Sequence, residues 1–212
     1  MSFVSYAKNA FSLLCQGRWR EFFFRLRVFL VGIDLKNVSN DELKIPLDRG
    51  HEYANSGGRH LEIVLESFGI TPADAVVDFG SGKGGALITL AKFPFARITG
   101  VELSPELVAI AKSNLKGLGC KNIDMIVGDA TDFTDLDAYN YFYFFNPFPY
   151  VIMSAVIDNI AASLAHRPRK AVIIYFNPEF HDAVVNNPAF VKTGEFDHHE
   201  LKYYIYSNAC HY

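Results

Sequence analysis

The residues whose types and spacing could do chemistry are concentrated in the segment VVDFGSGKGG. It places Asp78 two positions before the first of three alternating glycines, Gly80, Gly82 and Gly84. Glycines accept positive φ angles and let the backbone approach a ligand closely. Because Gly80, Gly82 and Gly85 also fit the G-x-G-x-x-G spacing of dinucleotide sites, the glycines alone leave the ligand open. A turn without a ligand is the other interpretation.

The carboxylate of Asp78 separates the two kinds of ligand. A dinucleotide would bring a pyrophosphate to this loop, and a fixed anion repels it. S-adenosylmethionine instead brings the cationic amine of its amino-acid part, which an anion attracts. Asp78 therefore favours S-adenosylmethionine over a nicotinamide cofactor.

Two further carboxylates follow along the chain, Glu102 in TGVELSP and Asp129 in VGDA. One carboxylate can accept hydrogen bonds from two ribose hydroxyls, and another can accept from an exocyclic amine. For Glu102 the alternatives are a solvated strand end or the ribose contact of a dinucleotide. For Asp129 the alternative is a simple loop start, since Gly-Asp is common in turns.

These residues must be positioned by an alternation of strands and helices that begins at residue 59. The apolar runs predict strands over 75–79, 96–103, 122–129, 139–146 and 170–177. Between them the periodicity predicts helices over 59–70, 86–93, 104–119 and 151–165. Such repeats require a doubly wound, mostly parallel α/β sheet with helices on both faces, which binds ligands beyond the carboxyl ends of its strands. Residues 190–196 and 201–208 predict two closing antiparallel strands.

On these residues, the stretch from 59 to about 180 resembles the class I S-adenosylmethionine-dependent methyltransferases. The resemblance implies a seven-stranded, Rossmann-like sheet whose last strand is antiparallel. It also implies that Asp78 and the glycines form the first cofactor motif, that Glu102 binds the ribose, and that Asp129 meets the adenine amino group. The full set of predicted cofactor-binding residues is Tyr53, Ser56, Asp78, Gly80, Ser81, Gly82, Gly84, Glu102, Leu103, Asp129, Ala130 and Asn146.

Methyl-acceptor residues are predicted in FFNPFPY, directly after the fourth strand. The segment resembles the Asn-Pro-Pro-aromatic tetrad of amino-group methyltransferases, with its second proline and aromatic residue exchanged. We therefore predict that Asn146, Pro147 and Phe148 are catalytic and orient the acceptor; a stiff structural loop is the alternative. The expected acceptor is an amine or hydroxyl of a lysine-like protein side chain or of a small metabolite. Methyl transfer mainly requires that the acceptor lone pair be aligned with the methyl group of the cofactor. The lack of a catalytic triad in the sequence therefore does not argue against a methyltransferase.

The charges divide the chain into two predicted parts. The chain has 20 basic and 23 acidic residues, but residues 1–36 carry six basic and two acidic ones. We predict a basic, aromatic and helical extension over 1–45 and a cofactor-binding domain over 46–212. The acidic remainder disfavours nucleic acid as a partner. The extension is expected to cover the sheet domain or form a dimer contact, and peripheral membrane contact through residues 18–33 is left open.

The three cysteines, Cys15, Cys120 and Cys210, are far apart and lack any metal-ligand spacing, so we predict no metal site and a reducing compartment. No signal peptide is evident, and the predicted location is cytoplasmic. The sequence therefore predicts a methyltransferase. A nicotinamide-dependent oxidoreductase and an inactive cofactor-binding protein are the alternatives.

Overall fold

A computed structural model of the protein describes residues 17–38, 54–198 and 201–208. Within them, one sheet has seven strands: β1 Ala75–Phe79, β2 Arg97–Glu102, β3 Ile123–Val127, β4 Tyr141–Phe145, β5 Val172–Phe176, β6 Phe190–His198 and β7 Leu201–Asn208. The described helices are α1 Trp19–Val31, α2 Arg59–Glu66, α3 Gly85–Leu90, α4 Pro105–Gly117, α5 Tyr150–His166 and α6 Asp182–Val185. The strand order is β3-β2-β1-β4-β5-β7-β6.

The first five strands are parallel, and their order creates a switch point between β1 and β4. From β1 the chain winds outward through β2 to β3 and then returns to place β4 on the other side of β1. Connections leave β1 and β4 in opposite directions, so a crevice forms beyond their carboxyl ends, and such crevices bind ligands in doubly wound sheets.

The tail completes the sheet in the predicted manner. β7 pairs antiparallel with β5, and β6 pairs antiparallel with β7. The predicted fold class is therefore confirmed, with strands that end one or two residues inside several of the predicted ranges. The single-turn helix α6 was not predicted, because four residues are too short to show helical periodicity.

Helices cover both faces of the sheet, as a parallel sheet requires. On one face, Phe79 and Phe144 pack with side chains of α5 such as Val156. On the other face, Val76 and Tyr143 pack with side chains of α2 and α3. Successive residues of β1 thus contribute to opposite cores, which explains why the strand is apolar along its whole length apart from Asp78.

Helix α1 lies in the predicted extension and packs against the second of these cores through Val28. It ends at Gly32, whose φ of 71° is the left-handed conformation usual after a helix. At the end of α4, a Cβ on Gly117 would lie 2.3 Å from Val31 Cγ1, so only glycine lets the two helices approach there. The predicted boundary near residue 45 lies outside the described residues. None of the described helices is long and apolar enough to cross a membrane.

Candidate functional site

The loop of residues 80–84, called here the glycine loop, connects β1 to α3 through three glycines with positive φ. The φ angles of Gly80, Gly82 and Gly84 are 73°, 51° and 82°. The amides of Gly80 and Ser81 both donate to the carbonyl of Val101 in β2, at 2.9 and 3.1 Å. The alternating glycines are therefore a conformational requirement of a loop that folds back over the end of β2.

Glu102 is the last residue of β2, and its side chain is hydrogen-bonded to the glycine loop. Its two carboxylate oxygens accept separate hydrogen bonds, each 2.9 Å long, from the amides of Gly82 and Ser104. Burial raises the pKa of the Glu102 carboxyl, against the opposing effect of backbone hydrogen bonds from Ser104, Gly82 and Leu103. The buried carboxylate therefore fixes the end of β2 and the glycine loop relative to each other, at the position predicted to meet a ribose.

Asp78 is the most unusual charge in the described part of the chain. Its side chain is 2% exposed, and its Oδ2 has no hydrogen-bond partner among the described residues. Burial, together with repulsion from Glu102, raises the pKa of the Asp78 carboxyl well above its ordinary value. A buried carboxylate oxygen without a partner is costly in free energy, and a cationic ligand would compensate for that cost.

The third predicted carboxylate follows β3, beside β2 in the sheet. Asp129 Oδ1 accepts from the amide and the hydroxyl of Thr131, at 2.9 and 2.7 Å, which closes a tight turn. The next residue, Ala130, is buried. Asp78, Glu102 and Asp129 thus stand near the carboxyl ends of three adjacent strands, as the sequence predicted. These residues fit S-adenosylmethionine. Asp78, whose Oδ2 has no hydrogen-bond partner among the described residues, would hold the amine of the cofactor, and Glu102 would hold its ribose.

Exchange of Asp78 for asparagine should separate folding stability from cofactor binding. The raised pKa means that the folded chain binds a proton more tightly than the unfolded chain, so the free energy of unfolding falls as pH rises above about 3.8, the ordinary value. One such group contributes a slope of at most about 1.4 kcal/mol per pH unit. We expect Asp78→Asn to reduce this slope and to weaken binding of S-adenosylhomocysteine. Urea unfolding at several pH values measures the slope, and calorimetry measures the affinity. A variant with the parent's slope and the parent's affinity would refute both the buried charge and the cofactor contact assigned to Asp78.

Asn146 lies directly after β4 and has a φ of 38°, which is strained for a residue with a side chain. Its Nδ2 donates to Glu179 Oε2 at 2.6 Å, and its Oδ1 accepts from the Tyr175 hydroxyl at 3.2 Å. The Tyr175 hydroxyl in turn accepts from the amide of Phe180 at 3.3 Å. We call residues 146–148 and 177–180 the β4–β5 edge.

Sequence reasoning missed Glu179 and Tyr175, although one signal was present. The segments FFNPF and YFNPE repeat a Phe-Asn-Pro unit at the ends of β4 and β5. Asn177 also has a positive φ, 49°, and the Phe145 and Phe176 rings before the two turns stack at 4.6 Å. The turn at Asn177 is closed by the Glu179 amide, which donates to the Asn177 carbonyl at 2.9 Å. The second copy of the Phe-Asn-Pro unit thus places the Glu179 carboxylate within hydrogen-bond distance of the Asn146 side chain.

Pro147 joins the glycine loop to the β4–β5 edge. A Cβ on Gly80 would lie 2.5 Å from Pro147 Cβ, so the two turns touch across the switch point. Phe148 is buried in the core that contains Phe144 and α5. The acceptor contact predicted for Phe148 stays a prediction, and the ring also has a packing role.

The predicted residues before α2 are only partly described. Tyr53 lies outside the described residues. Ser56 is buried, and its carbonyl accepts from the Tyr143 hydroxyl at 3.4 Å. The N-cap of α2 is Gly58, whose amide donates to Thr89 Oγ1 at 2.9 Å, so Ser56 lies two residues before the cap. Its predicted role in cofactor binding stays a prediction.

Lys83, within the glycine loop, was also missed. It is buried, and its Nζ donates to Asp34 Oδ2 and to the carbonyl of Lys36, each at 2.9 Å. Burial opposes ionisation of Asp34, yet the hydrogen bond from Lys83 and further contacts leave its pKa lowered. The Asn114 side chain adds bonds to the Asp34 backbone and to the Lys83 carbonyl. The segment after α1 is therefore bound directly to the glycine loop.

Comparison with known proteins identifies a family for this arrangement. A family described as "Methyltransferase domain" matches residues 70–184. Human EEF1A lysine methyltransferase 2 is 42% identical over 59 residues, which are 27% of this chain and 25% of that protein. Protein-L-isoaspartate O-methyltransferase of Pyrococcus horikoshii is 29% identical over 96 residues, 45% of this chain and 43% of that one. The chain therefore matches less than half the length of these curated relatives.

Solved structures share the fold. An RNA methyltransferase from Salinibacter ruber, in complex with S-adenosylhomocysteine, superposes with a TM-score of 0.56 at 15% identity. The superposition covers 71% of this chain and 92% of that one. At this identity the similarity shows the fold alone, which is the seven-stranded architecture predicted from the sequence.

Proposed function

The chain belongs to the methyltransferase domain family, and on that premise we propose that it is an S-adenosylmethionine-dependent methyltransferase whose acceptor is an amine, foremost the side-chain amine of a lysine in a protein. The observation that carries the proposal is the Glu179 carboxylate, bound to Asn146 at the β4–β5 edge. The sheet places this edge beside the glycine loop, because Pro147 touches Gly80. An acceptor held there would lie next to the predicted cofactor site.

The polar groups of the β4–β5 edge suit a cation. The Glu179 side chain is exposed and anionic, and Pro147 has no backbone N–H. An ammonium group has three donors and no acceptor, so it matches carboxylate and carbonyl oxygens. A carboxyl acceptor, as in isoaspartyl methylation, would instead be repelled by Glu179. Charge therefore favours an amine over a carboxylate as the acceptor.

The same residues account for the chemistry of an amine acceptor. The cofactor, when bound, supplies an electrophilic methyl group on its sulfonium. Glu179 would bind the incoming ammonium, and loss of one proton from that ammonium to solvent would leave a nitrogen lone pair free to form the new bond. Asn146 and the rigid Pro147 would fix the direction of that lone pair, and alignment at near-attack distance is the main requirement of such a displacement.

The relatives support a lysine acceptor through one printed name. The human relative is named as a lysine methyltransferase, and its 59 matched residues are 42% identical to this chain. The Pyrococcus relative is named as an isoaspartate O-methyltransferase, which the charge of Glu179 disfavours here. A hydroxyl acceptor is the alternative that the following test distinguishes.

Glu179→Gln should lower kcat/KM for a lysine-containing peptide by roughly tenfold or more, because a hydrogen bond to a charged group contributes about 1.5–3 kcal/mol. Activity is measured by transfer of labelled methyl from S-adenosylmethionine to peptides with lysine, N-acetyllysine or serine. Glu66→Gln, at an exposed glutamate paired with Arg59, is the matched control and should retain full activity. Equal rates in Glu179→Gln and the parent, or transfer to the serine peptide only, would contradict the amine proposal.

A further inference from the structure

Helix α1 carries an apolar stripe on the face that points away from the protein core. We define the stripe as Trp19, Phe23 and Leu30, which are 57%, 59% and 72% exposed. Spacings of four and seven residues place the three side chains within about 40° of one another around the helix, at about 100° per residue. Val28, which packs against the core, falls on the opposite side. The stripe is therefore not the surface by which the helix is held to the domain.

A basic groove adjoins this helix. Two cavities of about 310 and 400 Å³ share Gly119, Cys120 and Lys121 in their linings. The cationic side chains that line them are Arg27, Lys112, Lys116, Lys121 and Lys92, the last of which is paired with Glu62 outside the lining. The lining includes no acidic residue, in a chain whose net charge is −3. Such a concentration of one sign attracts anions.

The stripe and the basic groove form one continuous surface. Arg27 belongs to α1 and lines the groove, and a Cβ on Gly119 would lie only 3.2 Å from its Nη2. The end of α1 also packs on Gly117, at the last residue of α4. Exposed apolar side chains and a cluster of cations are thus held side by side by packed, regular structure.

We propose that this surface binds the anionic lipid headgroups of a membrane, with the stripe inserted at the level of the headgroups. Aromatic and aliphatic side chains enter the interface, and neighbouring lysines and arginines bind lipid phosphates. The cations of the groove come largely from α4 and the segment after it, so the sequence of α1 by itself does not show this surface. The surface therefore has its two halves on different segments.

The observations favour lipid over the other occupants of such a surface. Nucleic-acid bases can stack on the rings of Trp19 and Phe23, but they leave Leu30, the most exposed member of the stripe, in water, whereas a membrane interface takes up all three side chains. A symmetric contact with a second copy would bring the two basic grooves together and incur like-charge repulsion. A membrane satisfies both the apolar stripe and the cations.

Vesicle co-sedimentation with the purified full-length chain tests this proposal. We expect binding to vesicles of phosphatidylcholine with phosphatidylglycerol, at least tenfold weaker binding to phosphatidylcholine alone, and loss of binding as NaCl is raised. Leu30→Ser combined with Trp19→Ser should reduce binding at least tenfold, as should Lys112→Glu combined with Lys116→Glu and Lys121→Glu. The matched controls are Val191→Ser and Lys170→Glu, at exposed positions in β6 and before β5, and they should bind like the parent.

Melting temperature and affinity for S-adenosylhomocysteine verify that each variant is folded. Equal binding to both kinds of vesicle, or no binding to either, would overturn the proposal. So would variants that bind like the parent, tighter binding to polyuridylate than to anionic vesicles, or a dimer that the Leu30→Ser change converts to a monomer.

Discussion

Gly80→Val should abolish measurable binding of S-adenosylmethionine, with affinity for S-adenosylhomocysteine reduced on the order of 100-fold or more, equivalent to about 2.7 kcal/mol. Gly80 has a φ of 73°, and a side chain in the left-handed region costs about 1–2 kcal/mol. In addition, any Cβ there would lie 2.5 Å from Pro147 Cβ, so the glycine loop and the β4–β5 edge must separate. Valine, branched at Cβ, makes both effects worse.

Titration calorimetry with S-adenosylhomocysteine measures this loss, and Gly69→Ala is its control. Gly69 has no atom within 4 Å of a built Cβ and no positive φ, so an alanine there should leave the affinity unchanged. If Gly80→Val bound the ligand like the parent, the glycine loop would not be the cofactor site.

Asn146→Ala should lower turnover tenfold or more, equivalent to roughly 1.4 kcal/mol of activation barrier, with little change in cofactor affinity. The change removes the amide that binds both Glu179 and Tyr175, at 2.6 and 3.2 Å. Without it the Glu179 carboxylate loses its fixed position and the acceptor loses its alignment. Steady-state rates with saturating acceptor, together with calorimetry, separate the two quantities.

Asn122→Ala is the matched control for this prediction. Asn122 precedes β3, at the opposite ends of the strands from the site, and has a positive φ of 62°, but its exposed side chain has no hydrogen bond among those of the described residues. It therefore reproduces the loss of asparagine at a strained turn without the loss of the Glu179 contact. Equal turnover in Asn146→Ala and the parent would show that FFNPFPY is only a stiff structural loop. A large loss of cofactor affinity would assign Asn146 to the cofactor side.

The local signals in the sequence were sufficient for the fold and for the position of the glycine loop. Strand β1 was predicted residue for residue, because a run of five residues, apolar except for Asp78, ends directly at Gly80. The start of α4 was predicted equally well: Ser104 Oγ accepts from the Leu107 amide at 3.2 Å, and Pro105 occupies the first helical position. In both cases the deciding interactions connect residues only a few positions apart.

Interactions between distant segments were not predictable in this way. Lys83 and Asp34 are 49 residues apart, and Asn146 and Glu179 are 33 apart. Nothing near Lys83 in the sequence indicates Asp34, and only the repeated Phe-Asn-Pro unit connects Asn146 with Glu179, because each pair forms only after the sheet has brought two segments together. Likewise, whether Phe148 faces a crevice or the core depends on where β4 ends, and apolar sequence defines such an end only to within a few residues.

The most direct test of an amine acceptor is the chemical identity of the labelled product. Purified chain and S-adenosylmethionine with a deuterated methyl group are incubated with extract from cells that lack its gene, and mass spectrometry locates the label. We predict deuterated methyl groups on lysine side-chain amines of protein, formed by the parent and by Glu66→Gln but strongly reduced with Glu179→Gln and Asn146→Ala. Label found only on carboxyl groups, on hydroxyls or in nucleic acid, or lysine labelling that Glu179→Gln leaves unchanged, would contradict the account.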